Sequence, residues 1–177
     1  MRIGDVVYFS PRFRFSELDL RDTDQLVEAV TDRLLGFYLD PASRLIAAGD
    51  AFAAGLLCCT AIDFLALCSG SKRPEEWLQK NIPVFSENGA TAVHFWNWFR
   101  NGLVHEARVK SFGQFSLDSP KLMAAIGPAL VVNPKLLLEA IRTAMAAFFD
   151  RLDEGQTVQL VKLLERYFEA EIAAAKQ

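Results

Sequence analysis

Arg100, Asn101 and His105 are the residues whose types and spacing best suit chemistry in this chain. Arginine offers a fixed charge and planar donors to an anion. Histidine exchanges a proton near neutral pH, its ordinary pKa being about 6.5. Asparagine both donates and accepts, so it can orient either neighbour. Together they suit a cleft or interface where an anion sits.

Both histidines of the protein fall in the segment 91–106, among Phe95, Trp96, Trp98, Phe99, Leu103 and Val104. On a regular helix, with His94 set at zero, Asn97 falls near ~300°, Asn101 near ~340° and His105 near ~20°. They form a polar stripe on an aromatic helix. If that helix is buried, the stripe must be satisfied, and the structural explanation is bonding to the backbone of neighbouring helices. Arg100 falls near ~240°, about 140° from His105. On regular geometry the two do not share a face within one chain. Either Gly102 lets the helix distort, or a second copy completes the site.

The run Arg100-Asn101-Gly102-Leu103-Val104-His105 resembles the arginine, polar residue, spacer and histidine signature of the HEPN superfamily. The long apolar segment Thr60-Ala61-Ile62-Asp63-Phe64-Leu65-Ala66 and the late helix opening at Asn133-Pro134 resemble that family too, so the likeness in helix order spans about residues 20–175. The resemblance implies an all-α, HEPN-like antiparallel bundle of about five helices, often dimeric, with two motifs facing each other. It implies a metal-independent endoribonuclease with no cofactor, found in toxin–antitoxin, CRISPR and other defence systems. Other members are catalytically silent or serve as partners of small nucleotidyltransferases. By position, Arg100 and His105 would be the catalytic pair and Asn101 the supporting residue.

RNA carries its own nucleophile, the 2′-hydroxyl. In such a reaction His105 would move the proton and Arg100 would meet charge developing on phosphorus. The expected product is a 2′,3′-cyclic phosphate. Arg108, Lys110 and Asn97 are the candidates for RNA contact. An active nuclease predicts a positive cleft around Arg100 and Arg108. A silent dimerisation or sensor module predicts Arg100 paired internally, for example with Asp63 or Glu106, and no open cleft.

The elements that must hold these residues follow from the pattern. Residues 1–18 read as an extended arm or short hairpin, from the β-prone Val6-Val7-Tyr8-Phe9 and the alternating Phe13-Arg14-Phe15. Leu26, Val27, Val30, Leu34, Leu35 and Tyr38 predict a helix over about 22–38, ended by Asp40-Pro41. A second helix is expected over about 41–68, apolar nearly all round and therefore central, with Ala53, Ala54 and Gly55 letting another helix approach. Ser69-Gly70-Ser71 ends it. Pro74 starts a short helix, residues 81–89 form a loop, and 90–107 form the motif helix. Residues 108–117 suggest a short hairpin or extended loop, and 118–133 are broken by Pro120, Gly127 and Pro128. Asn133-Pro134 caps a helix to about 153, Glu154-Gly155 turns the chain, and a last helix covers about 156–175.

Composition bounds the rest. The 177 residues, 51% hydrophobic and 23% charged, fit one globular domain over 1–177. The formal net charge of −3 gives no footprint for duplex DNA. Cys58, Cys59 and Cys68 share one apolar segment, which predicts buried reduced thiols in a cytoplasmic protein. No cysteine or histidine spacing suits zinc. The uncharged run from Ala51 to Ile62 is shorter than the ~20 residues a bilayer needs, so no membrane partner is expected. Ser69-Gly70-Ser71-Lys72 lacks the frame of a phosphate loop. The aromatic cluster at 95–99 is expected in the core or a dimer interface, with base stacking as the alternative.

Overall fold

The computed structural model describes residues 1–87 and 89–175. Its amino-terminal arm is a small hairpin: β1 (Arg2–Ile3) runs antiparallel to β2 (Val6–Val7), and Tyr8 then bridges Arg14. The alternation seen in the sequence turns Phe9 and Phe15 inward, where their rings meet Phe168 at 5.4 and 5.5 Å. Asp32 fastens the arm from outside. Its carboxylate accepts the Arg12 backbone N–H at 2.9 Å and the Arg12 Nε at 2.7 Å.

Helix α1 (Thr23–Leu34) starts where Asp22 accepts the N–H groups of Asp24 and Gln25. It does not end at Asp40-Pro41 as expected. A π turn over Leu35–Leu39 carries it directly into α2 (Asp40–Ala47). A proline ring crowds the carbonyl four residues before it. Here that carbonyl belongs to Phe37, inside the widened turn, so the helix absorbs the proline. The break comes instead at residues 48–50, where Gly49 takes a φ of +86°. The single expected helix over 41–68 is therefore two, the second being α3 (Ala51–Cys68).

Helix α3 runs through Asp63, and by length and composition alone it could cross a membrane. It packs against α2, α4 (Pro74–Asn81), α8 (Pro134–Phe149) and α9 (Glu154–Tyr167), with 56% of it buried. That is the setting of a core helix. Its small face admits a ring rather than only a helix: a Cβ on Gly55 would lie 2.3 Å from the Phe115 side chain.

Part of the expected loop 81–89 is a single turn, α5 (Pro83–Ser86), and Asn88 lies outside the described residues. The motif helix is three pieces: α6 (Gly89–Phe95), a π turn over Trp96–Asn101, and α7 (Gly102–Glu106). Ala107 ends it with a φ of +55°.

The largest departure from the expected all-α fold follows. Residues 113–132 form a three-stranded sheet in the order β3–β5–β4. β3 (Gly113–Phe115) runs parallel to β5 (Ala129–Val132), and β4 (Met123–Ile126) runs antiparallel to it. Gly127 and Pro128, read from sequence as breakers, form the turn of this hairpin. The fold is thus mainly helical with two small sheets.

Asn133 caps α8 by accepting from Lys135 and Leu136 N–H. Its own amide also donates to Leu117 and Ser119 carbonyls, tying the loop after β3 to the helix. Asp153 and Gln156 form a reciprocal capping box, so α9 begins at Glu154 rather than after a turn there. A break at Phe168 separates α9 from α10 (Glu169–Ala175).

Candidate functional site

The site is built on the π turn. A π turn closes its hydrogen bonds five residues apart instead of four. Residues five apart then share a face. Arg100 Nη1 lies 3.3 Å from His105 Nε2. Against the 140° separation expected on a regular helix, the Arg100 side chain reaches His105, and the pair forms within one chain.

Gly102 makes this geometry possible by what it lacks. The chain leaving α7 folds back across it, and a Cβ there would lie 2.5 Å from the Arg108 carbonyl oxygen. The returning segment is held by Lys110 N–H, which donates to the Trp98 carbonyl at 2.8 Å.

Asp63 on α3 supplies the fourth group. Its carboxylate accepts from Arg100 Nε at 2.9 Å, while Arg100 Nη1 also reaches Asn101 Oδ1 at 3.3 Å. The guanidinium carbon stands 5.7 Å over the Trp96 ring. Nη2 makes no hydrogen bond among the described residues, so part of the fork is open to a ligand. Burial pushes the Asp63 carboxyl up from its ordinary value, and the hydrogen bond and charge of Arg100 pull it back only in part.

The roles in the Arg100–His105 contact depend on the tautomer of His105. Guanidinium donates and never accepts. A hydrogen bond between Nη1 and Nε2 therefore requires a neutral imidazole carrying its proton on Nδ1. The Nε2 lone pair then faces Arg100, and it can act as a base only when the guanidinium turns away.

The polar stripe is satisfied differently from the structural expectation. Among the described residues, Asn97, Asn101 and His105 do not bond the backbone of neighbouring helices. Asn101 Nδ2 donates to Asn97 Oδ1 at 3.0 Å, and Asn97, His94 and His105 are exposed. The stripe faces outward, while Phe95, Trp96 and Phe99 fill the core.

The other cations do not form an open positive cleft. Arg108 pairs with Glu106 at 2.8 Å, and Lys110 pairs with the same carboxylate. Those contacts, the Lys110 hydrogen bond foremost, hold Glu106 below its ordinary value. Three cations nonetheless face two carboxylates around His105, leaving the local balance positive. Sequence reasoning named Asp63 as a possible internal partner of Arg100 in a silent module but left it out of the catalytic set. Its signal was an acid inside a long apolar run, which only a partner on another element can explain. Among the described residues no three His, Cys, Asp or Glu side chains converge as a metal site.

Comparison with protein-family models, with curated proteins and with solved structures finds no match to this chain.

Proposed function

We propose that this protein is a metal-independent endoribonuclease of the HEPN type. The observation that carries this reading is the 3.3 Å contact between Arg100 and His105 on one outward-facing ridge. In the reaction, Arg100 Nη1 turns from His105 to the phosphate, and the Nε2 so freed takes the proton of a ribose 2′-hydroxyl as its oxygen attacks the adjacent phosphorus. The bond to the 5′-oxygen breaks, and that oxygen takes a proton from water, to which His105 returns its own. A 2′,3′-cyclic phosphate and a 5′-hydroxyl result. Arg100, steered by Asp63 through Nε, offers its free N–H groups to the phosphoryl oxygens. Asn101 orients Arg100, and Asn97, Arg108 and Lys110 flank the strand. The protein would act in the cytoplasm, within a toxin–antitoxin or other defence system. Its partner would be an antitoxin or a nucleotidyltransferase. The exposed Val93 and Val104 beside the stripe suit a homodimer in which two such ridges meet.

A specific observation favours a second reading, a silent dimerisation or sensor module. Arg100 is ion-paired with Asp63, and Arg108 and Lys110 are both engaged by Glu106. One experiment separates the two. Purified protein is incubated with single-stranded RNA in EDTA, and the ends produced are identified. Arg100→Ala and His105→Ala should each lower cleavage by about a hundredfold or more, with the thermal midpoint of His105→Ala nearly unchanged because the side chain is exposed. No cleavage by the unmodified protein, or cleavage undiminished in both variants, favours the silent module.

A further inference from the structure

On the same ridge, one to two turns before the catalytic pair, the rings of His94 and Trp98 are stacked. Their centroids are 5.0 Å apart and their planes differ by 17°. Opposite them stands the β4–β5 hairpin. Between the two lies an open groove of about 170 Å³, lined by His94, Trp98 and, across from them, Ala125, Pro128 and Leu130. Neither His94 nor Trp98 makes a hydrogen bond among the described residues, so their ring N–H groups are uncommitted.

We infer that this groove holds one nucleobase of a single-stranded RNA, next to the bond that Arg100 and His105 would cleave; the inference rests on the nuclease reading above. Three observations support it. The walls are apolar and carry no formal charge apart from the titratable His94, which suits the planar ring of a nucleobase. The volume is well below the roughly 300–1,000 Å³ of sites that enclose whole ligands, so it fits a single ring with its sugar outside. Trp98 lies on the same π turn as Arg100 and Asn101, two residues before the arginine. The Asn97–Asn101 hydrogen bond lies between groove and catalytic pair and would follow the backbone joining them. The groove would therefore select the base beside the cleaved linkage.

The fluorescence of Trp98 reports on the groove directly. Trp77 and Trp96 are 1% and 5% exposed, whereas Trp98 is half-buried. A 2′-O-methyl hexanucleotide, which lacks the free nucleophile and is not cut, is titrated into the protein. Saturable quenching is expected, lost in Trp98→Phe. His94→Ala and Ala125→Glu should each weaken binding about tenfold. On cleavable RNA, both should change which linkages are cut while leaving the dependence on Arg100 intact.

Unchanged affinity and unchanged cleavage pattern in His94→Ala and Ala125→Glu overturn the base site, even if cleavage still requires Arg100. Quenching that depends on protein concentration without RNA also overturns it, since a second copy then fills the groove. Quenching that requires His94 in a protein that cuts no RNA supports the base site and overturns the nuclease.

Discussion

Arg100 is held from three directions, and each contact has a separable consequence. Asp63 fixes Nε, Asn101 fixes Nη1, and His105 shares Nη1 as an acceptor. The ion pair is partly exposed, with side chains 25% and 33% accessible, so its direct worth to stability is small. Its effect belongs to orientation. In the nuclease, Asp63→Ala should lower single-turnover cleavage at least tenfold, equivalent to about 1.4 kcal/mol of transition-state stabilisation. Asp63→Asn keeps an acceptor for Nε and should retain most activity. An Asp63→Ala variant that cuts faster would mean the carboxylate neutralises Arg100 rather than steering it. The arginine and histidine were legible from residue type alone. Asp63 was legible as an acid in an apolar run and, beside Glu106, as a candidate partner of Arg100; only the fold chose it, because the pair spans 37 positions in the chain.

At the scale of elements, two π turns decide where side chains point. The first carries a helix through Pro41, and the second brings Arg100 to His105. Composition gives no direct sign of either, since a π turn depends on what the neighbouring chain demands. At the second turn the demand comes from residues 108–110 crossing Gly102. Gly102→Ala should push this crossing away, costing about 1–3 kcal/mol in urea unfolding and removing cleavage with it. Unaltered stability and activity in that variant would show that the crossing yields freely. The sheet at 113–132 was missed because its signals were read one at a time. Gly127-Pro128 marked a break, and the short apolar runs on either side were too brief to declare themselves as strands. Their pairing, and the fit of Phe115 onto Gly55, emerge only when the strands meet α3.

Across the whole molecule, α3 is the axis and the amino-terminal arm is a clasp. The three cysteines of α3 are buried free thiols; burial raises Cys58 and Cys68 to about 12 and Cys59 well above its ordinary value. The clasp is electrostatic as well as aromatic. Burial raises the Asp32 carboxyl, but hydrogen bonds from Ser10 and Arg12 outweigh it and hold the group below its ordinary 3.8. A depressed carboxylate adds stability above its unfolded value and loses it as pH falls through the folded value. Asp32→Asn should therefore be less stable by about 1 kcal/mol at pH 6. The difference should shrink as pH drops below 3.8, read by urea denaturation at several pH values. A pH-independent difference would assign the effect to packing alone.

The sequence by itself determined what is local: the helix cap at Asn133, the apolar α3, the arm with its alternating phenylalanines, and the residue types of the ridge. Those follow from side-chain chemistry and spacing within a few residues. The tertiary structure decided what depends on distant contact. It rewound the motif helix by packing the returning chain over Gly102, and it joined Asp63 to Arg100 across two helices. It also turned the polar stripe outward, because the aromatic face of that helix fills the core. The ridge then presents Arg100 and His105 together from a single chain.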